Sequence, residues 1–214
     1  MVFKRRKPRT YFEVVSESVY PRGGWRRAAW YVAYRLRRLP DPAHKISRGI
    51  AVGVFVSFTP FFGFHFIVSA LLAWAFGGNI LAALLATFVG NPITFPIIGA
   101  LAMEVGTTLL GRPSVPLPGV VSAFSGASLE LWHNAMAVFT PEVAHWGSLA
   151  AFFDGIFLPY LIGGIAPGLI VAVASFFLSK PLIAAYQKAR VARLKKRFEK
   201  KRELVRSRRT RPVE

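Results

Sequence analysis

"FVSFTPFFGFHF", Phe55–Phe66, lies inside a 55-residue stretch, Gly49–Met103, that contains no Asp, Glu, Lys or Arg. About 20 apolar residues cross a bilayer, so the stretch is long enough for two crossings. Yet it carries Thr59-Pro60, then Gly63, then His65. Proline removes a backbone donor and clashes with the preceding turn. An unpaired backbone group in hydrocarbon costs several kcal/mol, so irregular backbone is tolerated there only under protein or beside a wet cavity. The stretch therefore predicts helices broken within the membrane, with the breaks covering one another.

Further interruptions follow at Gly77-Gly78 and Asn91-Pro92. They leave apolar blocks at 49–58, 63–76, 79–89, 94–110 and 155–179. The first four are too short for full spans and suit re-entrant or half-length helices. The expected fold is all-α: a polytopic membrane protein with broken or re-entrant helices and basic amphipathic helices at both ends. In the favoured arrangement, 49–77 is a hairpin entering and leaving on the cytoplasmic side. Residues 79–110 then cross outward as a broken helix and 155–179 cross back. A rival arrangement makes 49–76 and 79–103 two kinked spans and folds 155–179 into a hairpin at Gly163-Gly164.

Charge separates these arrangements. The chain of 214 residues is 53% hydrophobic with net charge +18 and mean hydropathy +0.41. Residues 1–48 hold 13 of the 28 Lys and Arg, residues 180–214 hold 14, and Arg112 is the remaining one. Basic flanks stay cytoplasmic, so both termini are expected in the cytoplasm of a multi-pass protein of the bacterial inner membrane. Residues 113–150 contain no Lys or Arg, with acids at Glu130 and Glu142, and belong outside. There Leu129, Trp132, Met136 and Phe139 have helical spacing, which predicts one or two short helices on the outer leaflet. The domain plan is a basic cytoplasmic segment at 1–45, a membrane domain at 46–180 and a basic helical tail at 181–214. The apolar run begins too late and continues too long for a cleavable signal peptide.

The runs Lys4–Arg9 and Arg193–Arg211 resemble nucleic-acid patches in composition alone. Beside membrane spans they are better explained by attraction to anionic lipid headgroups, at roughly 1 kcal/mol per residue. Lipid is the expected partner, and nucleic acid is not. Residues 22–39 place Trp25, Ala28, Val32, Leu36 and Leu39 on one helical side, as an interfacial helix requires. So few spans also suit a homodimer.

A half-helix that begins inside the membrane offers free N–H groups and the positive end of its dipole, a ready anion site. Pro96 fits a first helical turn. Thr59, Asn91 and Thr94 can bond loose backbone or a ligand, and His65 can donate or accept. The same four residues also suit a bland role as caps and turn fillers. Phe55-Val56-Ser57-Phe58-Thr59-Pro60 is echoed by Phe88-Val89-Gly90-Asn91-Pro92, and paired interruptions point to a transport site. Glu104 is a candidate proton-coupling carboxylate, or a charge reaching for the interface.

"GVFVSFTPFFGFHFIVSALLAW" (53–74) followed by "NILAALLATFVGNPITFPIIG" (79–99) resembles the bacterial membrane family called domain of unknown function 2062. Its Pro-x-x-Gly-x-His and Asn-Pro-x-Thr-x-Pro elements match Pro60, Gly63 and His65, then Asn91, Pro92, Thr94 and Pro96. The resemblance implies a bacterial inner-membrane protein and supplies no reaction.

Glu130-x-x-His133 and Glu142-x-x-His145 have the spacing of carboxylate-metal ligands, but they lie 12 residues apart across Pro141. Amphipathic surface helices explain them equally well, so no metal or cofactor is expected. No nucleophile motif is present, and no enzyme is expected. Two functions fit best: a transporter or flippase for an anionic, phosphate-bearing lipid or small anion, or a membrane scaffold or assembly factor for envelope biogenesis; a membrane metal enzyme using the two Glu-x-x-His pairs is the third.

Overall fold

A computed structural model describes residues 24–61 and 63–209. The basic run Lys4–Arg9 and Phe62 lie outside the described residues. The described chain is all-helical. α1 (Gly24–Arg37) leads to α2 (Ala43–Val56), α3 (His65–Ala75) and α4 (Ile80–Ala86), which is extended by a 3-10 turn, Thr87–Val89. α5 (Phe95–Leu109), α6 (Leu117–Ala137) and α7 (Gly147–Phe152) follow. A π-helical turn, Phe153–Phe157, then joins α7 to α8 (Leu158–Arg209).

α2 stops where Pro60 pushes its neighbour out of helical conformation. The chain reverses through Gly63, whose φ of +82° suits glycine, and α3 runs back. Gly77, at φ +61°, ends α3, and Asn79 N–H then bonds the Lys45 carbonyl at 2.9 Å. Residues 43–79 are thus a closed hairpin whose two ends meet. α4 starts from the same end, with Asn79 accepting Ala82 N–H at 2.7 Å and donating to Asp41, and it runs parallel to α2.

Small residues set the α2–α4 contact. Gly49 faces the Asn79 carbonyl, Gly53 the Ala83 carbonyl, and Ser57 Oγ donates to the Thr87 carbonyl at 3.2 Å. Both rows advance by four residues, so one helix lies backbone-to-backbone on the other. A Cβ at Gly49 or Gly53 would collide with main chain. The antiparallel α5–α8 pair repeats the device: Gly106 faces the Pro159 carbonyl and Gly163 the Ala102 carbonyl. Gly164 also abuts the Phe58 carbonyl, which brings α8 against the end of α2. Close approach through small residues, with Cα–H···O contacts, is how helices associate where hydrocarbon removes the hydrophobic drive.

α8 is one unbroken helix of 52 residues with Pro167 and Pro181 inside it. The Gly163-Gly164 hairpin of the rival arrangement does not form. The π turn precedes Pro159, which has no N–H to donate back to the Gly155 carbonyl. Arg112 donates to the Asp154 carbonyl in the same turn. At the other end Ile183 packs with Ile46, Ala82, Leu36 and Leu39, and Gln187 donates to the Asp41 carbonyl at 2.9 Å. Leu36 and Leu39, two residues of the side expected to lie on the leaflet, thus pack on protein.

The run Gly147–Glu199 is long and apolar enough to cross a membrane, and only 22% of its most apolar window is buried. The core helix of a soluble protein would be mostly buried. His65–Ala75, Ile80–Val89 and Phe95–Leu109 are shorter apolar helices. Their exposed residues include large hydrophobic ones, among them Leu71, Trp74, Leu81, Ile97 and Leu101.

Beyond α5, where the spacing predicts one or two short helices, residues 117–137 form one helix of 21 residues, longer than that expectation. It is clasped to the start of α7. Glu130 accepts N–H groups from Ser148, at 3.0 Å, and Leu149. Asn134 accepts His145 N–H at 2.9 Å and donates to the His145 carbonyl.

Candidate functional site

The structure brings the two proline breaks together. Ser57 Cβ lies 3.2 Å from where a Gly90 Cβ would stand, and these are matching positions of the two echoed segments. The His65 ring lies 5.8 Å from the Phe95 ring, and Phe66 lies 6.0 Å from Phe88. α3 begins at His65 and α5 at Phe95, so two helix N-termini with their positive dipole ends start side by side. Phe58, at the first break, packs against Gly164 and Gly168, near the middle of the apolar run 155–179.

Each polar side chain of the breaks binds backbone. Buried Thr59 Oγ1 donates to the Val56 carbonyl at 2.6 Å. His65 Nε2 donates to the Thr59 carbonyl at 3.1 Å, tying the start of α3 to the end of the α2 turn. Pro60 is buried and Gly63 is exposed at the tip.

At the second break, Asn91 Oδ1 accepts N–H groups from Ile93 at 2.9 Å and Thr94 at 3.2 Å. Its Nδ2 donates to the Phe88 and Val89 carbonyls, both at 3.3 Å. Thr94 Oγ1 accepts Asn91 N–H at 3.0 Å and donates to the Val89 carbonyl. Asn91 therefore replaces the ladder that Pro92 interrupts. Pro96 sits in the first turn of α5, as its sequence position predicts, and its side chain is exposed like that of Pro92.

Glu104 is not part of this cluster. It lies nine residues along α5 from Phe95, about 13 Å at 1.5 Å per residue. It occupies the exposed face that also carries Ile97 and Leu101. Of the Glu-x-x-His residues, Glu130 is committed to the α7 N-terminus. Some desolvation raises its carboxyl, but the Leu149, Ser148 and Gly147 N–H groups, with His145 nearby, hold it below its ordinary 4.5. Among the described residues no group of three or more His, Cys, Asp or Glu could hold a metal ion.

Sequence reasoning missed the close-packing residues Gly49, Gly53, Gly106 and Gly163. The Gly-x-x-x-Gly spacing of Gly49 and Gly53 was the available signal. Ser57, whose hydroxyl joins the two breaks, continues that four-residue step.

Among the described residues, fold and site define an all-helical protein with one span-length helix and two adjoining broken segments. The family model described as an uncharacterized protein conserved in bacteria (DUF2062) matches residues 26–192, and the chain belongs to that family. No curated protein and no solved structure matches it.

Proposed function

We propose that the chain is a multi-pass protein of the bacterial inner membrane that moves an anionic, phosphate-bearing lipid or small anion past its paired breaks. The carrying observation is that the first side chains of α3 and α5 meet, the His65 and Phe95 rings being 5.8 Å apart, while Phe58 of the first break lies on Gly164 of the long helix. Two positive helix ends inside an apolar layer favour an anion.

The membrane placement is supported by the closed hairpin 43–79, the exposed apolar helices and the basic ends. Residues 49–77 enter and return on the cytoplasmic side. Residues 79–110 cross outward with a jog at Gly90-Asn91-Pro92, and 155–179 cross back. Both termini are cytoplasmic.

Reconstitution in vesicles tests the transport reading with a fluorescent phosphatidylglycerol that dithionite bleaches only in the outer leaflet. The wild-type chain is expected to expose the inner-leaflet pool, and His65→Ala to slow this while still inserting. Bleaching no faster than in protein-free vesicles would reject lipid transport.

A second reading has its own observation. Thr59, Asn91 and Thr94 all bond local backbone, as a purely structural break requires. In that case the protein is a membrane scaffold. Removing residues 190–214 then abolishes complementation of a deletion strain, while His65→Ala and Asn91→Ala leave it intact.

A further inference from the structure

Two cavities adjoin where α1, α4 and the cytoplasmic stretch of α8 meet, and Arg38 lines both. The first, about 350 Å³, is lined by Arg38 with Tyr186, Arg190, Arg193 and Arg197. Those four α8 residues are spaced by four, three and four, which puts them on one helix face. The second, about 640 Å³, has a floor of Leu81, Leu84 and Leu85 from α4 and a wall of Tyr31, Tyr34 and Arg35 from α1.

The junction is held in place. Ile183 packs with Leu36 and Leu39, and Gln187 bonds the Asp41 carbonyl. The Arg38 guanidinium lies 4.1 Å from the centre of the Tyr34 ring, which orients it at the boundary of the two cavities. Among the described residues no carboxylate pairs with Arg38, Arg190, Arg193 or Arg197. Asp41, the acid beside this junction, has its carboxylate bonded by Asn79.

We propose that this junction binds one acidic phospholipid from the cytoplasmic leaflet. Its phosphate sits among Arg38, Arg190 and Arg193, and an acyl chain lies along Leu81, Leu84 and Leu85. Four arginines that pair with no acid among the described residues call for an anion, and guanidinium groups match phosphate oxygens in pairs. A free phosphate would need the basic cavity alone. An apolar groove opening from the same arginine fits an amphiphile, and basic pockets at the cytoplasmic side of membrane helices suit such headgroups. The inference rests on the membrane placement proposed above but not on transport at the breaks.

The test is native mass spectrometry of the full chain in detergent, titrated with dioleoyl phosphatidylglycerol and, separately, dioleoyl phosphatidylcholine. One phosphatidylglycerol is expected to be retained in preference to phosphatidylcholine. The exposed changes Arg190→Gln and Arg193→Gln are each expected to weaken retention about tenfold, the loss of a charge-assisted contact, with helix content unchanged by circular dichroism. Leu81→Gln with Leu85→Gln is expected to weaken phosphatidylglycerol but leave competition by inorganic phosphate unchanged.

Equal retention of both lipids, or full retention by the arginine variants, would overturn the proposal. If the leucine variants retain the lipid fully, a free phosphate is the ligand and the lipid assignment fails. A short RNA that displaces phosphatidylglycerol at lower concentration than phosphate does would reassign the arginines to nucleic acid and overturn it too.

Discussion

Gly163→Ala tests the packing of α5 on α8. A Cβ at Gly163 would lie 2.7 Å from Gly106 Cα, with the Ala102 carbonyl oxygen and Gly106 nitrogen nearer still, whereas ordinary contact begins at 3.4 Å. The obstacles are main chain and cannot rotate away, and the Ala102 oxygen is the nearest, so α5 must retreat by more than about 1 Å. A radial gap of about 0.5–1 Å forfeits a quarter to a half of each contact's dispersion energy. Overpacking of this kind costs about 1–3 kcal/mol, and better helix propensity returns about 0.5–1 kcal/mol. The expected net loss is about 1–2 kcal/mol, read by reversible unfolding in mixed detergent micelles followed by circular dichroism. Gly155→Ala is the control, because nothing lies within 4 Å of its Cβ position, and it should leave stability unchanged or slightly raised. A Gly163→Ala chain as stable as wild type would refute the close α5–α8 approach.

Asn91→Ala removes two acceptor and two donor contacts from the second break and should cost about 1–3 kcal/mol in the same unfolding assay. Asn91→Asp keeps the acceptors but sets a carboxylate oxygen against the Phe88 and Val89 carbonyls, so it should not restore wild-type stability. The Glu130 clasp depends on pH. Its carboxyl is held below 4.5 in the folded chain, so its contribution is complete above that value and is lost as pH falls through the lowered one. Protection of the Ser148 and Leu149 amides relative to their intrinsic exchange should fall in that acid range, and Glu130→Gln should lower it at neutral pH as well. For topology, the chain has no cysteine, so single cysteines report cleanly. Ser125→Cys should react with an impermeant maleimide from outside whole cells, and Gly77→Cys only after lysis.

The breaks were legible because Pro60, Pro92 and Pro96 act through local sterics. Asn91 and Thr94 were legible as break residues, but their bonding was not. Whether Asn91 turns on its own backbone or toward a ligand depends on dihedral angles that the pattern Asn-Pro-x-Thr does not fix. The helix at 24–37 followed from 3.6-residue periodicity, but the packing of Leu36 and Leu39 on Ile183 and Ile46 rather than on lipid did not. Helix pairing did not, because apolar residues on α3, α4 and α5 face outward as well as inward and blur the stripe. Small residues mark those contacts instead, at Gly49, Gly53 and Ser57, and a reading tuned to hydrophobic faces passes over them. The continuity of α8 through Pro167 and Pro181 was hidden for a related reason. Neighbouring helices hold a proline-bearing helix straight enough to continue, and no local signal reports that support.

The claim on which the rest stands is that the two breaks touch. With no native cysteine to interfere, the double variant Ser57→Cys with Gly90→Cys measures this in membranes. The two Cβ positions are 3.2 Å apart, close to the roughly 3.5–4.5 Å of a disulfide. Oxidation should form an intramolecular disulfide in Ser57→Cys/Gly90→Cys, and none in Ser57→Cys/Ser125→Cys. Free thiols persisting in both pairs after oxidation would contradict the account.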